Sequence, residues 1–380
     1  MKLAIVRREP NVAISMDVYA DNLVAELKVI RPDWEIVEVS PQPWSDEAGD
    51  IWHSGNPLRK FYERFYNHPR VVNQMEADLF HIIDHTDGHL AYGLKKIGKP
   101  VIVTCHDLVQ YIYPEILKTE AKIPAFSMAV WQYCVKGINV ADRAIAISTN
   151  TAKDIDRWLN TELEKVEVVP NGVGSECRIL PPETVAEWKQ QYIKSEAEIC
   201  LLHVGTNHHR KNVETVFQAL KAIVDRNIPV RLWKVGEDFY PDQKQYLKDN
   251  NLTEHITVIK TPDRESVIKF YNAADILIAP SLYEGFGLTI LEAMACGTPT
   301  ITANVSSIPE VAGNAAVLVE PTDVDAITQA ILRIDGDATF RQDLIDKGLA
   351  RVRDFTWRKT AEKTANLYEQ VIKAKSKILA

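Results

Sequence analysis

No two cysteines in this chain stand at C-x-x-C spacing. The five present, Cys105, Cys134, Cys177, Cys200 and Cys296, are scattered and odd in number, so neither a disulfide framework nor a zinc site has support. A reducing, cytoplasmic location is expected. No apolar run reaches membrane-spanning length, and the opening MKLAIVRREP meets Arg7, Arg8 and Glu9 before a signal-peptide core develops. The mature protein is therefore expected to begin at Met1. An excess of positive charge is lacking: the formal net charge is -8 and neither half is basic, so nucleic acid is not an expected partner. Three signatures are missing as well. There is no G-x-G-x-x-G after Leu3 to Val6, no G-x-x-x-x-G-K-[ST], and no G-x-S-x-G. These absences argue against a nicotinamide dehydrogenase, a P-loop ATPase and an α/β-hydrolase.

What is present is globular. With 380 residues, 46% of them hydrophobic and 25% charged, the chain is too long for one ordinary core, and two domains are expected. Short apolar runs alternate with helical stretches: Leu3 to Val6, Glu35 to Val39, Leu79 to Ile83, Val101 to Thr104 and Ala144 to Ile147, with an amphipathic stretch from Val18 to Val29. This is the rhythm of a parallel α/β sheet. Between Pro41 and Pro69 the pattern weakens, and an irregular region with one helix is expected. A second alternation follows Pro170-Asn171-Gly172, with strands at Ile199 to Val204, Arg231 to Val235, Ile256 to Ile259, Ile276 to Ala279 and Thr298 to Thr302. The expectation is two doubly wound, Rossmann-like domains with a ligand site in the cleft between them, beyond the carboxyl ends of the strands.

The stretch from Ala279 to Pro299, APSLYEGFGLTILEAMACGTP, carries the most chemistry. A buried strand empties into a glycine-containing loop, and a helix begins near Leu288, presenting free N-H groups to an anion. Glu284 precedes that helix and Glu292 lies inside it, so one carboxylate can hold sugar hydroxyls and the other a ribose. Spacing alone equally admits a tight turn at Gly285 and Gly287 with Glu292 solvated. In VGTNHHRKN, from Val204 to Asn212, Arg210 and Lys211 can neutralise a diphosphate without a metal. The same residues also fit a solvated basic loop capped by Asn212. Thr104-Cys105-His106-Asp107 ends a strand at its carboxyl edge, where His106 can bind a sugar hydroxyl, shuttle a proton or serve structure alone. Asp84 to His89 either lines an acceptor pocket or forms an ordinary Asp/Gly turn.

Three D-x-D matches, Asp154 with Asp156, Asp323 with Asp325 and Asp335 with Asp337, are assigned to caps and turns, so no metal site is expected. Leu58 to Tyr66, LRKFYERFY, is basic and aromatic. Core packing explains it most simply, and weak peripheral contact with an anionic membrane is the other reading.

From Glu284 to Pro299 the chain resembles the retaining GT-B glycosyltransferases of family 4 (glycosyl transferases group 1), marked by two glutamates in E-G-F-G-L-x-x-x-E-A-M-A-x-G-x-P. The Val204 to Asn212 segment, Val169-Pro170-Asn171-Gly172-Val173, Thr104 to Leu108 and Phe355-Thr356-Trp357 fall in family order, so the resemblance covers nearly the whole chain. It implies a GT-B fold with an acceptor-side domain over 1-172, completed by the helix 358-380, and a donor-binding domain over 173-357. It implies a metal-independent, retaining hexosyltransferase that moves a sugar from a GDP- or UDP-sugar to a hydroxyl of a glycan, lipid-linked or small-molecule acceptor, with no tightly bound cofactor. Lys211 would bind the diphosphate. Gly205, Thr206 and Arg210 would line the same site, and Glu284 with the backbone of Gly285, Phe286, Gly287, Leu288 and Thr289 would hold the sugar and phosphates. Glu292 would hold the ribose, and His106 would lie near the transferred sugar. Two departures stand out. Thr206 occupies the position after Gly205 where many members carry Arg, so Arg210 is expected to supply that charge. Ser15-Met16-Asp17-Val18-Tyr19 stands where a Gly-rich turn is usual, which leaves open the first-domain side of the diphosphate site and the acceptor contacts there; Asp17, Tyr19, His85 and Asp87 are the acceptor-side candidates. A nucleotide-sugar epimerase or hydrolase on this fold, and a catalytically silent nucleotide-sugar-binding protein, are the competing readings.

Overall fold

The computed structural model describes residues 1–9, 14–43, 57–114 and 125–379. The chain forms two compact units, Met1–Gly172 with Trp357–Ala380, and Val173–Thr356.

The first unit holds a six-stranded sheet in the order β2-β1-β3-β4-β5-β6, made of β1 (Lys2–Val6), β2 (Glu35–Val39), β3 (Leu79–Ile82), β4 (Val101–Cys105), β5 (Arg143–Ala146) and β6 (Val166–Val168). Every pairing is parallel. Parallel strands need crossover helices on both faces, which explains why β1, β3 and β4 are apolar almost throughout. One face packs against the helices Ile14–Ile30 and Trp357–Leu379 through Leu23, Leu27, Ala361 and Tyr368. The other packs against Leu90–Lys96 and Thr149–Leu159 through Leu94, Ala152 and Ile155. Part of the irregular region expected between Pro41 and Pro69, residues 44–56, lies outside the described residues; after it come the helix Pro57–Tyr62 and a π-helical turn, Glu63–Asn67.

The second unit repeats the plan in the order β12-β11-β10-β7-β8-β9. Its strands are β7 (Ile199–Gly205), β8 (Val230–Gly236), β9 (Ile256–Lys260), β10 (Ile276–Ala279), β11 (Thr300–Ala303) and β12 (Val317–Val319), again all parallel. The helices Val213–Val224 and Val324–Gly336 cover one face, and Pro182–Gln190 and Arg264–Ala273 the other. At the ends of this unit, Val173 donates its N–H to the Phe355 carbonyl at 3.0 Å and bridges Thr356. In the first unit, Thr360 Oγ1 donates to the Pro170 carbonyl at 2.8 Å. Each unit therefore closes on its own two crossing segments.

One local expectation is extended and one corrected. The helical stretch expected from Val18 begins earlier, so Ser15 to Tyr19 form the first part of Ile14–Ile30, Met16 to Leu27 sustaining a helical pattern without a glycine. Asp154 and Asp156 lie inside Thr149–Leu159, whose cap is Ser148, accepting from Thr151 N. Asp323 and Asp337 do cap helices, accepting from the N–H groups of Ala326 and Phe340.

Candidate functional site

In a doubly wound sheet the loops diverge where strand order reverses, and a crevice opens there. In the second unit that point lies between β7 and β10, which are neighbours in the sheet. After β7 the chain runs through Gly205 into a tight turn, His209–Lys211; after β10 it runs from Pro280 to Gly287. The two loops are laced together, with Leu282 N donating to the Arg210 carbonyl at 2.7 Å. Asn212 adds Nδ2 contacts to the carbonyls of Pro280 at 3.0 Å and Pro321 at 2.6 Å. Asn212 is thus not a side-chain helix cap. Its left-handed backbone, φ 54, aims the amide at buried carbonyls from other loops.

The lacing brings Arg210, Lys211 and Glu284 together. Lys211 Nζ lies 2.6 Å from Glu284 Oε1, Arg210 Nη1 lies 2.9 Å from Oε2, and Ser281 Oγ donates to Oε1 at 2.8 Å. Burial alone would raise this carboxyl's pKa, but Lys211 and Arg210 outweigh it and bring it down to about 2. The main chain at Glu284 is fixed as well: its N–H donates to Ser306 Oγ at 3.0 Å, and Ser307 Oγ donates to its carbonyl at 2.8 Å and to that of Phe286 at 3.1 Å. The helix Leu288–Ala295 follows Gly287, whose φ of 100 suits glycine and leaves no side chain to cap the helix. A Cβ there would come 3.1 Å from Ile290 Cδ1. The N–H groups of Leu288 and Thr289 therefore stand at an uncapped helix start beside two cations, an arrangement suited to phosphate.

Glu292 belongs to a separate set. Its Oε1 lies 2.7 Å from Arg264 Nη2, and its Oε2 accepts from Tyr271 Oη at 2.8 Å. Both oxygens are oriented, with capacity left to accept from ribose hydroxyls. Thr206 brings no charge; its Oγ1 is buried with no hydrogen-bond partner among the described residues. Among those residues no group of three or more His, Cys, Asp or Glu side chains gathers as a metal site.

In the first unit the order reverses between β1 and β3, so Arg8 after β1 and Asp84 to Asp87 after β3 meet at the analogous crevice. Arg8 Nη1 lies 2.9 Å from Asp84 Oδ2 and Arg64 Nε 2.8 Å from Asp87 Oδ1. Asp87 is committed to that ion pair, and Asp17 lies 3.4 Å from Arg7 Nη2. Tyr19 is a core residue, its Oη 3.2 Å from Thr104 Oγ1 and its ring edge-on to His106 at 4.9 Å. It backs His106 and presents nothing to a ligand. His85 is buried, with Nε2 unpartnered among the described residues. His106 Nε2 lies 2.8 Å from the Ile83 carbonyl, which can only accept, so Nε2 carries the hydrogen and Nδ1 the lone pair. Burial lowers its pKa, opposed by Asp84. A neutral His106 suits hydrogen bonding to a hydroxyl better than proton donation.

Four residues at the two glutamates, Ser306, Ser307, Arg264 and Tyr271, were not read from the sequence. Each comes from a segment distant along the chain. The alternation of elements was the only signal that could have placed them there.

Comparison with known proteins follows the same division. Residues 19–176 match the model described as Glycosyltransferase Family 4, and residues 184–351 the one described as Glycosyl transferases group 1. The O-antigen chain mannosyltransferase B of Escherichia coli is 34% identical over 44% of this chain and 45% of its own length. The serotype-specific mannosyltransferase WbdA of the same organism is 24% identical over 77% of this chain but only 36% of its own length. The chain thus spans less than half of those two relatives. An MMP alpha-(1->4)-mannosyltransferase of Mycolicibacterium hassiacum is 28% identical over 86% of this chain and 79% of its own. Among solved structures, a sucrose-phosphate synthase from Thermosynechococcus elongatus superposes with a TM-score of 0.77 at 22% identity, covering 98% of this chain and 100% of the other. Anabaena Alr3699/HepE in complex with UDP-glucose gives 0.76 at 16%, covering 97% and 100%.

Proposed function

Since the chain belongs to the glycosyl transferases of group 1 and has the two-domain GT-B fold, we propose that it moves a mannosyl unit from a GDP- or UDP-sugar to an acceptor hydroxyl, with retention at the anomeric carbon. The observation that carries this reading is the buried Glu284 held between Arg210 and Lys211 at an uncapped helix start. Mannosyl transfer is supported by the names of the relatives above, and the nucleotide by the solved neighbour that binds UDP-glucose. The donor diphosphate sits against Arg210, Lys211 and the N–H groups of Leu288 and Thr289, while Glu284 takes sugar hydroxyls and Glu292 the ribose. As the glycosidic bond breaks, negative charge grows on the leaving diphosphate. Fixed cations and helix N–H groups stabilise that state most, so no metal need be invoked. The departing phosphate accepts the proton of the acceptor hydroxyl on the same face, and His106 Nδ1 accepts a hydrogen bond from a sugar.

A thermal-shift panel of nucleotide sugars tests the donor, since a ligand at 100 times its dissociation constant stabilises by about 2.7 kcal/mol. A GDP- or UDP-mannose response is expected, followed by NMR of the product showing the donor's anomeric configuration. An inverted product removes retention. Freed or epimerised sugar without acceptor replaces the transferase with a hydrolase or epimerase, and binding without turnover across many acceptors leaves a nucleotide-sugar-binding protein.

No helix among the described residues is long and apolar enough to cross a membrane. The face formed by Pro57–Tyr62 and Glu63–Asn67 is nonetheless apolar and cationic: Leu58 is 79% exposed and Phe61, Tyr62 and Tyr66 are each more than half exposed, with Arg59 and Arg70 exposed beside them. Its one acid, Glu63, turns inward. In a chain of net charge -8 this local complementarity fits an anionic bilayer, and we assign that face to a membrane surface. Vesicles of phosphatidylglycerol should sediment the protein and vesicles of phosphatidylcholine should not. Equal sedimentation by both, or no loss in the double variant Phe61→Ser, Tyr62→Ser, would overturn the assignment.

A further inference from the structure

Beneath the loop that carries Arg210 and Lys211 lies a lysine to which the donor reading assigns no task; the inference below rests on that reading. Lys234, on β8, is 0% exposed. Burying an ammonium is costly unless a carboxylate pairs with it, and among the described residues none does so at hydrogen-bond distance. Its contacts are the carbonyls of Gly205 at 2.5 Å and Glu237 at 3.1 Å, and the Phe239 ring at 6.0 Å. Gly205 ends β7, and Glu237 is the first residue after β8. One ammonium therefore ties two strand ends at the carboxyl edge of the sheet.

The surroundings keep it there. Gly205 and Gly236 are register partners; at Gly236, φ is 123 and a Cβ would strike the Gly205 carbonyl at 2.6 Å, the same carbonyl that Lys234 holds. Asn207 Nδ2 spans the same gap to the Asp238 carbonyl at 2.6 Å. His203, the register partner of Lys234, brings no counter-charge. Its Nδ1 donates to the Ile278 carbonyl at 3.0 Å, and its buried Nε2 has no partner among the described residues. Burial, with Lys234 adding, brings its pKa down to about 3.

We propose that Lys234 is a positioning residue for the donor diphosphate: it fixes the loop bearing Arg210 and Lys211 and keeps beneath it a positive charge to which no carboxylate among the described residues is directly paired. Glu284 offsets the two loop cations above, whereas Lys234 keeps its charge for the incoming anion. The charged groups that face it are Lys211 from the turn, Glu237 and Asp238 from the loop after β8, and neutral His203, itself influenced by Glu284. Burial draws the Lys234 pKa down to about 8, with Glu237 opposing and Lys211 adding. A diphosphate favours the charged form and shifts that value back up, so at alkaline pH donor binding takes up a proton.

Calorimetric titration with GDP and with UDP, in two buffers of different ionisation enthalpy, reads that proton directly. Wild-type protein should take up a substantial fraction of a proton above pH 8, roughly half or more, and less near neutrality. Lys234→Met should bind roughly 10- to 100-fold more weakly, by the loss of one buried charge-assisted contact set, with no alkaline uptake and a donor KM raised more than kcat is lowered. Nucleotide binding by wild type without alkaline uptake overturns the role of Lys234 and leaves the donor reading intact, and this measurement stands even if the variant does not fold. Uptake and affinity retained in Lys234→Met overturn it as well. Failure of both nucleotides to bind at all removes the donor reading, and this inference with it.

Discussion

Replacing Lys211 by alanine lowers the transfer rate by roughly 10²- to 10³-fold, the usual cost of removing one fixed group that stabilises transition-state charge. The ammonium is mostly buried and lies 2.6 Å from Glu284 Oε1, so two effects combine. The growing charge on the diphosphate loses a cation. Glu284 is left with Arg210 and Ser281, its carboxyl pKa rises toward the value burial favours, and its hold on the sugar loosens. Arg210→Ala should cost less, because that side chain is the more exposed of the two. Since the three side chains act as a unit, Lys211→Ala combined with Glu284→Gln should fall well short of the product of the single effects. Steady-state kcat and kcat/KM with the donor found in the panel settle this. A Lys211→Ala enzyme within a few-fold of wild type would falsify the assignment of this loop to the diphosphate.

Tyr368→Ala is the largest expected stability effect, a loss of about 3–5 kcal/mol from a total that for natural domains is about 5–15. The ring is 0% exposed, in the helix Trp357–Leu379, and packs on Trp34 and His81. Its hydroxyl lies 2.6 Å from His81 Nδ1, His81 Nε2 lies 2.7 Å from Thr104 Oγ1, and Thr104 Oγ1 meets Tyr19 Oη. Burial drives the His81 pKa down to about 3, so the ring is neutral and needs one donor and one acceptor neighbour. Truncating Tyr368 removes the ring and leaves a buried imidazole nitrogen unpaired. Tyr368→Phe keeps the ring and should cost about 1–2 kcal/mol. Urea unfolding of both variants tests the difference; a Tyr368→Phe protein as stable as wild type would show that the chain of hydrogen bonds adds nothing beyond packing.

The parallel sheets were readable because strands buried on both faces must be apolar throughout; the spans expected for β2 and β10 are those observed. β12, Val317–Val319, escaped because three residues at a sheet edge carry too short a pattern. The helix Thr149–Leu159 escaped despite its Ser148 cap, since its apolar residues are few among polar ones. At the site, Glu284 on one loop and Arg210 and Lys211 on another were legible as candidates, because each run follows a strand and precedes a helix. Their mutual pairing was not, since it joins segments more than 70 residues apart. Tyr19, a candidate acceptor contact, is instead a core residue, because the amphipathic stretch expected from Val18 starts at Ile14 and the inward face of that helix carries Tyr19 into the core. Lys234 was invisible: in VRLWKVG a lysine reads as a solvent-facing residue, and only the parallel register that sets it beside His203 shows it enclosed.

The chain's departure from the first unit after Gly172, and its return at Trp357, has a consequence for synthesis on the ribosome. The sheet of the first unit emerges before the second unit, yet the helix that covers one of its faces is translated only after the second unit is finished. At about 5–20 residues per second the interval is roughly 10–40 s, during which Leu23, Leu27 and the sheet residues beneath them lack their final cover. The second unit, contiguous from Val173 to Thr356, has its whole sequence available earlier. Of the two units, the one translated first is therefore the one that completes its fold second, and it is the one exposed to chaperones and proteases in the interval.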